Sequence, residues 1–307
     1  MPPDPPAEAL YGEIHAAVLR WYGESGRDLP WRHTRDPYRV LVSEIMLQQT
    51  QVDRVLPKYA EFLRRFPTFA DLAAAPVAEV IRAWQGLGYN LRAVRLHRIA
   101  QQVVDRHGGV LPSTAPGLLE LDGIGPYTAA AVACFAFGLA EPVLDTNVRR
   151  VLGRFALGPD GPAAPVGVLW AMARQALPSH AAYDWNQALM DLGARICLPR
   201  RPQCLLCPAQ PWCQAAGRIT PAVRERSAAY STAPPIPFVE SSRYFRGRLV
   251  DHLRTLAPGA AASLEELGQT IKGNFVGDDL PWLRGLVAGL AHDGLAAIDE
   301  DGRVRLP

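Results

Sequence analysis

Lysine is almost missing from this chain: of 32 basic residues only Lys58 and Lys272 carry an amine, and arginine supplies the rest. A guanidinium stays protonated in proteins, so chemistry that needs a neutral side-chain amine has two candidates at most. Long hydrophobic runs are missing as well. The longest, Ala129 to Ala140, is about half the length a bilayer-spanning helix requires. The opening MPPDPPAEAL has neither a basic segment nor an apolar stretch of the kind that begins an export signal, so a soluble, cytoplasmic protein is expected. Alternating apolar and polar residues are scarce, which argues against a large sheet. Strong net charge is missing too, at only +2. Residues 1–230 hold 24 basic and 20 acidic side chains, against 8 and 10 in residues 231–307, so the mild positive lean lies ahead of the C-terminal region.

What is present is an ordinary globular composition, 49% hydrophobic and 20% charged over 307 residues, enough for roughly two or three modest cores. From Leu10 to Leu192 apolar residues recur at helical spacing, which predicts an all-α body. Proline and glycine cut it into short helices around Phe66-Pro67, Ala75-Pro76, Gly108-Gly109 and Glu141-Pro142, and Pro76 and Pro126 read as first-turn prolines. Residues 218–238, with TAPPIP at 232–237, read as a linker. Beyond it, helices are predicted over 241–256, 263–272 and 281–292, the second opened by the capping box Ser263-x-x-Glu266. A hairpin follows, with Leu295–Ile298 and Arg303–Leu306 joined through residues 299–302. Three helices and a terminal hairpin describe a small winged-helix-like domain over 239–307.

Four of the five cysteines fall within seventeen residues, Cys197, Cys204, Cys207 and Cys213. Such density without an export signal argues for a metal centre rather than disulfides. Zinc and a [4Fe-4S] cluster both accept four thiolates, and spacing alone does not choose between them. Arg200 and Arg201 beside them offset thiolate charge and offer a basic loop to phosphate. Cys134, inside an apolar helical run, is expected in the core.

Leu121-Asp122-Gly123-Ile124-Gly125 joins two helical segments. Gly123 and Gly125 let backbone approach a phosphate closely, and the following helix N-terminus directs free N–H groups at it; a plain helix-helix turn is the competing reading. Further on, Val143-Leu144-Asp145 delivers an acid to the start of a helix carrying Arg149, Arg150 and Arg154, where Asp145 is either a simple N-cap or a functional carboxylate. Upstream, Glu44 stands among Ile45, Met46 and Leu47, either as a partly buried acid of raised pKa or as an exposed helix residue.

Taken in order, the hairpin LDGIGPYTAAA, the VLDTN acid and the cysteine loop resemble the endonuclease III branch of the helix-hairpin-helix DNA glycosylases. Leu29-Pro30-Trp31-Arg32, SEIMLQQTQ over 43–51, Gly86-Leu87-Gly88-Tyr89 and the run from Asn186 to Ala194 are similar to its adenine-excising members. The resemblance covers about residues 10–217 and implies a two-lobed helical fold with a [4Fe-4S] cluster on the four cysteines. It implies one lobe from 1–30 and 141–217, a helical-barrel lobe from 31–140, and a duplex partner whose mispaired or damaged base is extruded for chemistry. It makes Glu44 the acid that protonates adenine, Asp145 the carboxylate that stabilises the cationic sugar, and Tyr127 the support of Asp145. Arg27, Trp31, Arg32, Gln187 and Asp191 match positions around the base pocket. Gln48, Gln49, Thr50 and Tyr89 match positions that enter the duplex or touch the opposite base.

Relatives that also cut the strand through a Schiff base carry a lysine just after the hairpin. Tyr127 stands there instead, so a monofunctional glycosylase, working as a monomer, is expected. Asn90 replaces a common second aromatic, Thr146 replaces a common glycine, and the C-terminal region lacks the length and strand pattern of the Nudix-like domain that reads 8-oxoguanine. The preference for 8-oxoguanine over guanine opposite adenine is therefore open. Two competing functions are a thymine or uracil mismatch glycosylase, against which Glu44 discriminates, and a non-catalytic DNA-binding iron–sulfur protein, against which the joint presence of Glu44 and Asp145 speaks.

Overall fold

The computed structural model describes residues 8–219 and 237–307. The expected linker at 218–238 lies for the most part outside the described residues. The helices are α1 (Glu8–Ser25), α2 (Pro37–Leu47), α3 (Val52–Arg65), α4 (Phe69–Ala74), α5 (Val77–Ala83), α6 (Leu91–His107) and α7 (Ala115–Leu119). They continue as α8 (Pro126–Phe135), α9 (Thr146–Leu157), α10 (Val166–Gln175), α11 (Ala182–Arg195), α12 (Ser242–Thr255), α13 (Leu264–Ile271) and α14 (Leu280–His292). Among the described residues, strands are limited to β1 (Ala297–Ile298) and β2 (Val304–Arg305), so the all-α reading holds. No described helix is long and apolar enough to cross a membrane.

Local rules account for most boundaries. In α3 the buried Val55, Tyr59 and Phe62 recur at i, i+4 and i+7, one apolar stripe on an otherwise polar helix. α6 ends at Gly108, which takes φ 60°, the left-handed cap that glycine adopts without steric cost. Pro126 occupies the first turn of α8, as expected, whereas Pro76 stands one residue ahead of α5 as its cap. α8 is buried all along from Thr128 to Phe135, including Cys134, which is a core residue.

The chain divides into two compact units. One comprises Met1–Leu41, Pro112–Glu120 and Ile124–Ala228; the other comprises Val42–Leu111, Leu121–Gly123 and Ala229–Pro307. This division differs from the lobes outlined from the sequence: α7 and α8 group with α1 and α9 to α11, and the C-terminal helices group with α3 to α6. The core of the first unit gathers Ile14 and Val18 of α1, Val148, Val151 and Leu152 of α9, and Ala188, Leu189 and Leu192 of α11. In the second unit Ile81 and Val94 share a single core with Leu249, Leu253, Leu267, Leu283 and Leu290. A shared core, rather than a separate one, is why the C-terminal module joins α5 and α6.

Within that module the predicted elements are found. Ser263 and Glu266 form both halves of the capping box on α13. β1 and β2 pair antiparallel, with Val304 also bridging to Ala262, which gives the three-helix and hairpin order of a winged helix.

Candidate active site

In the second unit, Glu44 lies on α2 beside the buried Val42, Ile45 and Met46 in sequence, and is only 5% exposed. The alternative of an exposed helix residue is therefore removed. Past Leu47 the chain leaves the helix, and Gln49 takes φ 55°; Tyr89, closing the Gly86–Tyr89 loop, takes φ 45°. Among the described residues these are the only non-glycine residues in the left-handed region. Such backbone costs on the order of 1–3 kcal/mol at each position and persists only where the surroundings enforce it.

The enforcing group is Arg92 of α6, buried and without a carboxylate partner among the described residues. Its Nη1 donates to the carbonyls of Ile45, Met46 and Gln48 at 3.0, 2.8 and 2.6 Å. Its Nη2 donates to Thr50 Oγ1 at 2.8 Å and to the carbonyls of Leu87 and Gly88 at 3.1 and 3.0 Å. Burial lowers its pKa to about 10, which leaves it cationic at neutral pH. One guanidinium thus ties the end of α2, Thr50 and the Tyr89 loop together, and Gln48, Gln49 and Tyr89 line one cleft of about 860 Å³.

The hairpin makes the tight turn between helices that its glycines predict. Gly123 takes φ 106°, and Gly125 caps α8 with an extended backbone. Both are exposed, so their peptide groups are accessible to a ligand.

In the first unit, Asp145 is the N-cap of α9, accepting from Val148 N at 2.6 Å and Asn147 Nδ2 at 2.9 Å. Burial raises its pKa above the ordinary 3.8, outweighing those hydrogen bonds and the charge of Arg150. The segment leading to it is fastened by the buried Asn186, whose Oδ1 accepts from Val143 N at 3.0 Å while Nδ2 donates to the Glu141 carbonyl at 2.9 Å. Tyr127 is half-buried in the first turn of α8.

Four of the five residues matched to the base pocket form one network. Arg32 donates to both oxygens of Asp191, at 2.9 and 2.7 Å, and through Nε to Gln187 Oε1 at 2.8 Å. Arg27 donates to the same carboxylate from its backbone N at 2.8 Å and its Nε at 2.7 Å. Burial alone would raise the Asp191 pKa, but the Arg32 and Arg27 hydrogen bonds and charges outweigh it and hold the carboxyl below 3.8. Trp31 is buried next in sequence to Arg32.

Cys197, Cys204, Cys207 and Cys213 border a single small cavity, and none is in a disulfide. Burial and the neighbouring thiols push Cys207 up to about 12. Arg154 of α9 places Nη1 3.5 Å from Cys197 Sγ, and its buried Nε has no hydrogen-bond partner among the described residues. Arg150 Nε donates to the Cys197 carbonyl at 2.7 Å, so α9 holds the cysteine loop at one end and Asp145 at the other. Among the described residues no three His, Cys, Asp or Glu side chains stand close enough to chelate one ion.

Residues 42–164 match the HhH-GPD superfamily of base-excision DNA-repair proteins. An adenine DNA glycosylase of Mycobacterium tuberculosis (strain CDC 1551 / Oshkosh) is 39% identical across the whole of this chain and 99% of its own length. The chain belongs to the adenine DNA glycosylases. The adenine DNA glycosylase of Homo sapiens is 42% identical over 73% of the chain, which spans 43% of that longer protein. Among solved structures, a thermostable thymine-DNA glycosylase is similar with a TM-score of 0.63 and 34% identity, covering 67% of this chain and 95% of the other.

Within this adenine DNA glycosylase, sequence reasoning missed Arg92 and Asn186 as organising residues. Arg92 looks no different in sequence from Arg95 and Arg98, because its distinction is burial against the end of another helix. Asn186 lies within a motif that carried the resemblance, but only the fold brings it to residues 141–143.

Proposed function

We propose that the protein is a monofunctional, monomeric DNA N-glycosylase that removes adenine mispaired with 8-oxoguanine or guanine in base-excision repair. Glu44 carries this reading, because it is a carboxyl held buried on α2, the side-chain type that delivers a proton to a base. In the proposed reaction Glu44 donates its proton to adenine N7. The N9–C1′ bond then breaks, and its electron pair leaves with adenine. Asp145, ionised, stabilises the oxocarbenium-like sugar from the start of α9, supported by Tyr127. Water, deprotonated by Glu44, adds to C1′ and leaves an abasic site, with Glu44 reprotonated. The arginine-clamped Asp191 and Gln187 shape the base pocket with Trp31. Gln48, Gln49, Thr50 and Tyr89 engage the duplex, and Gly123 and Gly125 grip its backbone.

The four cysteines would hold a [4Fe-4S] cluster, whose role is to fix the loop as a rigid, arginine-bearing surface. The fit rests on four sulfurs around one cavity and on a buried Arg154 Nε–H that has no acceptor among the described residues.

The likeness to a thymine-DNA glycosylase favours one second reading, thymine or uracil removal opposite guanine. Labelled duplexes carrying A opposite 8-oxoguanine, A opposite G, T opposite G and U opposite G separate the two. Alkali-dependent scission at adenine, lost in Glu44→Gln and Asp145→Asn, is expected, together with about four iron and four acid-labile sulfide atoms per chain. Scission only at thymine or uracil would move the protein to the second reading.

A further inference from the structure

The cleft that Gln49 and Tyr89 line has a second wall, α12 of the C-terminal module, and no role has so far been assigned to it. Its charge is one-sided. Of the acids in its lining, Asp251 is paired with Arg254 at 2.6 Å and Asp293 with Arg246. Arg54, Arg95, Arg243 and Arg248 line the same cleft, are exposed, and have no carboxylate partner among the described residues; of these Arg248 is engaged by the carbonyls of Thr270 and Ile271. Arg243 lays its guanidinium over the Tyr89 ring, with Cζ 4.1 Å from the centroid, and Tyr89 itself remains 41% exposed. Arg95 stands next to the hairpin, where a Cβ placed on Gly123 would meet the Arg95 Cβ at 3.6 Å.

The other three guanidinium groups therefore border one cleft unpaired: Arg95 beside the hairpin glycine, Arg243 on α12 over Tyr89, and Arg54 on α3. Partners for such a set must be anionic, extended and indifferent to sequence, because the groups are single charges on exposed stems rather than a closed pocket. We propose that this cleft is a phosphodiester-binding groove of the duplex, and that the C-terminal module contributes Arg243 to it as a phosphate contact held ready by Tyr89. The proposal rests on the reading of the chain as a DNA glycosylase and deepens it, since it gives the C-terminal module a share in substrate binding that does not require a Nudix-like domain.

The test is the salt dependence of binding by the full chain to an undamaged duplex, read by fluorescence anisotropy, because each phosphate contact adds about 0.9 to the slope of log affinity against log salt. Arg243→Ala should lower that slope by about one, and Arg54→Ala with Arg95→Ala by about two, with melting temperatures unchanged at these exposed positions. Arg243→Lys keeps the charge and should keep the slope, and Arg284→Ala, on the exposed face of α14 outside the cleft, should bind as wild type. A wild-type slope in Arg243→Ala, or an equal loss in Arg284→Ala, would overturn the groove while leaving adenine release by the wild-type protein intact. Wild-type protein that neither bound duplex nor released adenine would overturn both.

Discussion

Asp145 has two tasks that pull in opposite directions. As the cap of α9 it accepts hydrogen bonds that favour the carboxylate, yet its burial favours the protonated acid, and burial prevails. Because the folded carboxyl titrates above 3.8, ionising it costs stability, and that cost grows as pH rises from the unfolded value through the folded one. The proposed reaction needs the ionised form, so activity should fail on the acid side at a higher pH than an ordinary aspartate would set. Asn147 moderates the shift through its 2.9 Å hydrogen bond. Asn147→Ala should therefore move the acid limb of the kcat/KM profile to higher pH, and an unmoved limb would detach that limb from Asp145. Sequence made Asp145 legible as a cap, but the direction of its pKa depends on side chains that fold over it. Glu44 is the parallel case: its apolar neighbours are in the sequence, whereas its 5% exposure required the fold.

At the scale of elements, the end of α2 shows how one residue from another helix organises a site. The last carbonyls of any helix lack intrahelical donors, and here Ile45 and Met46 receive theirs from Arg92. The same guanidinium holds Leu87 and Gly88, so the two left-handed residues, Gln49 and Tyr89, are fixed by a single buried cation. Arg92→Ala should cost about 3 kcal/mol in urea denaturation, because several buried carbonyls lose their donor at once. A loss below about 1 kcal/mol would mean that water takes over those bonds. In the first unit, α9 and α11 approach closely at Gly193, where a Cβ would lie 2.5 Å from that of Asn147. That approach sets the residue that tunes Asp145 against the helix that carries Gln187 and Asp191.

At the scale of the whole molecule, the C-terminal module is an integral part of the second unit. Arg254 of α12, nearly buried, donates to the Ile81 carbonyl at 3.0 Å and to Asn90 Oδ1 at 2.8 Å. Asn90, which departs from the aromatic common at that position, thereby gains a structural reason: it receives the module. Removing residues 237–307 should uncover Ile81 and Val94, and thermal melting with light scattering should show a lower transition and aggregation. A truncated chain that melted as the full one does would show the module to be independent. The sequence by itself determined the helical body, the hairpin turn, the capping box, the winged-helix order and the residues that place the chain among the adenine DNA glycosylases, because periodicity, caps and motifs are local and survive without a fold. Only tertiary structure decided that Arg92 is buried, that four pocket residues form one arginine-clamped network, that the cysteines share a cavity and that α12 walls the Tyr89 cleft. Burial and pairing join residues far apart in the chain, and spacing along the sequence does not encode which of many arginines will be enclosed.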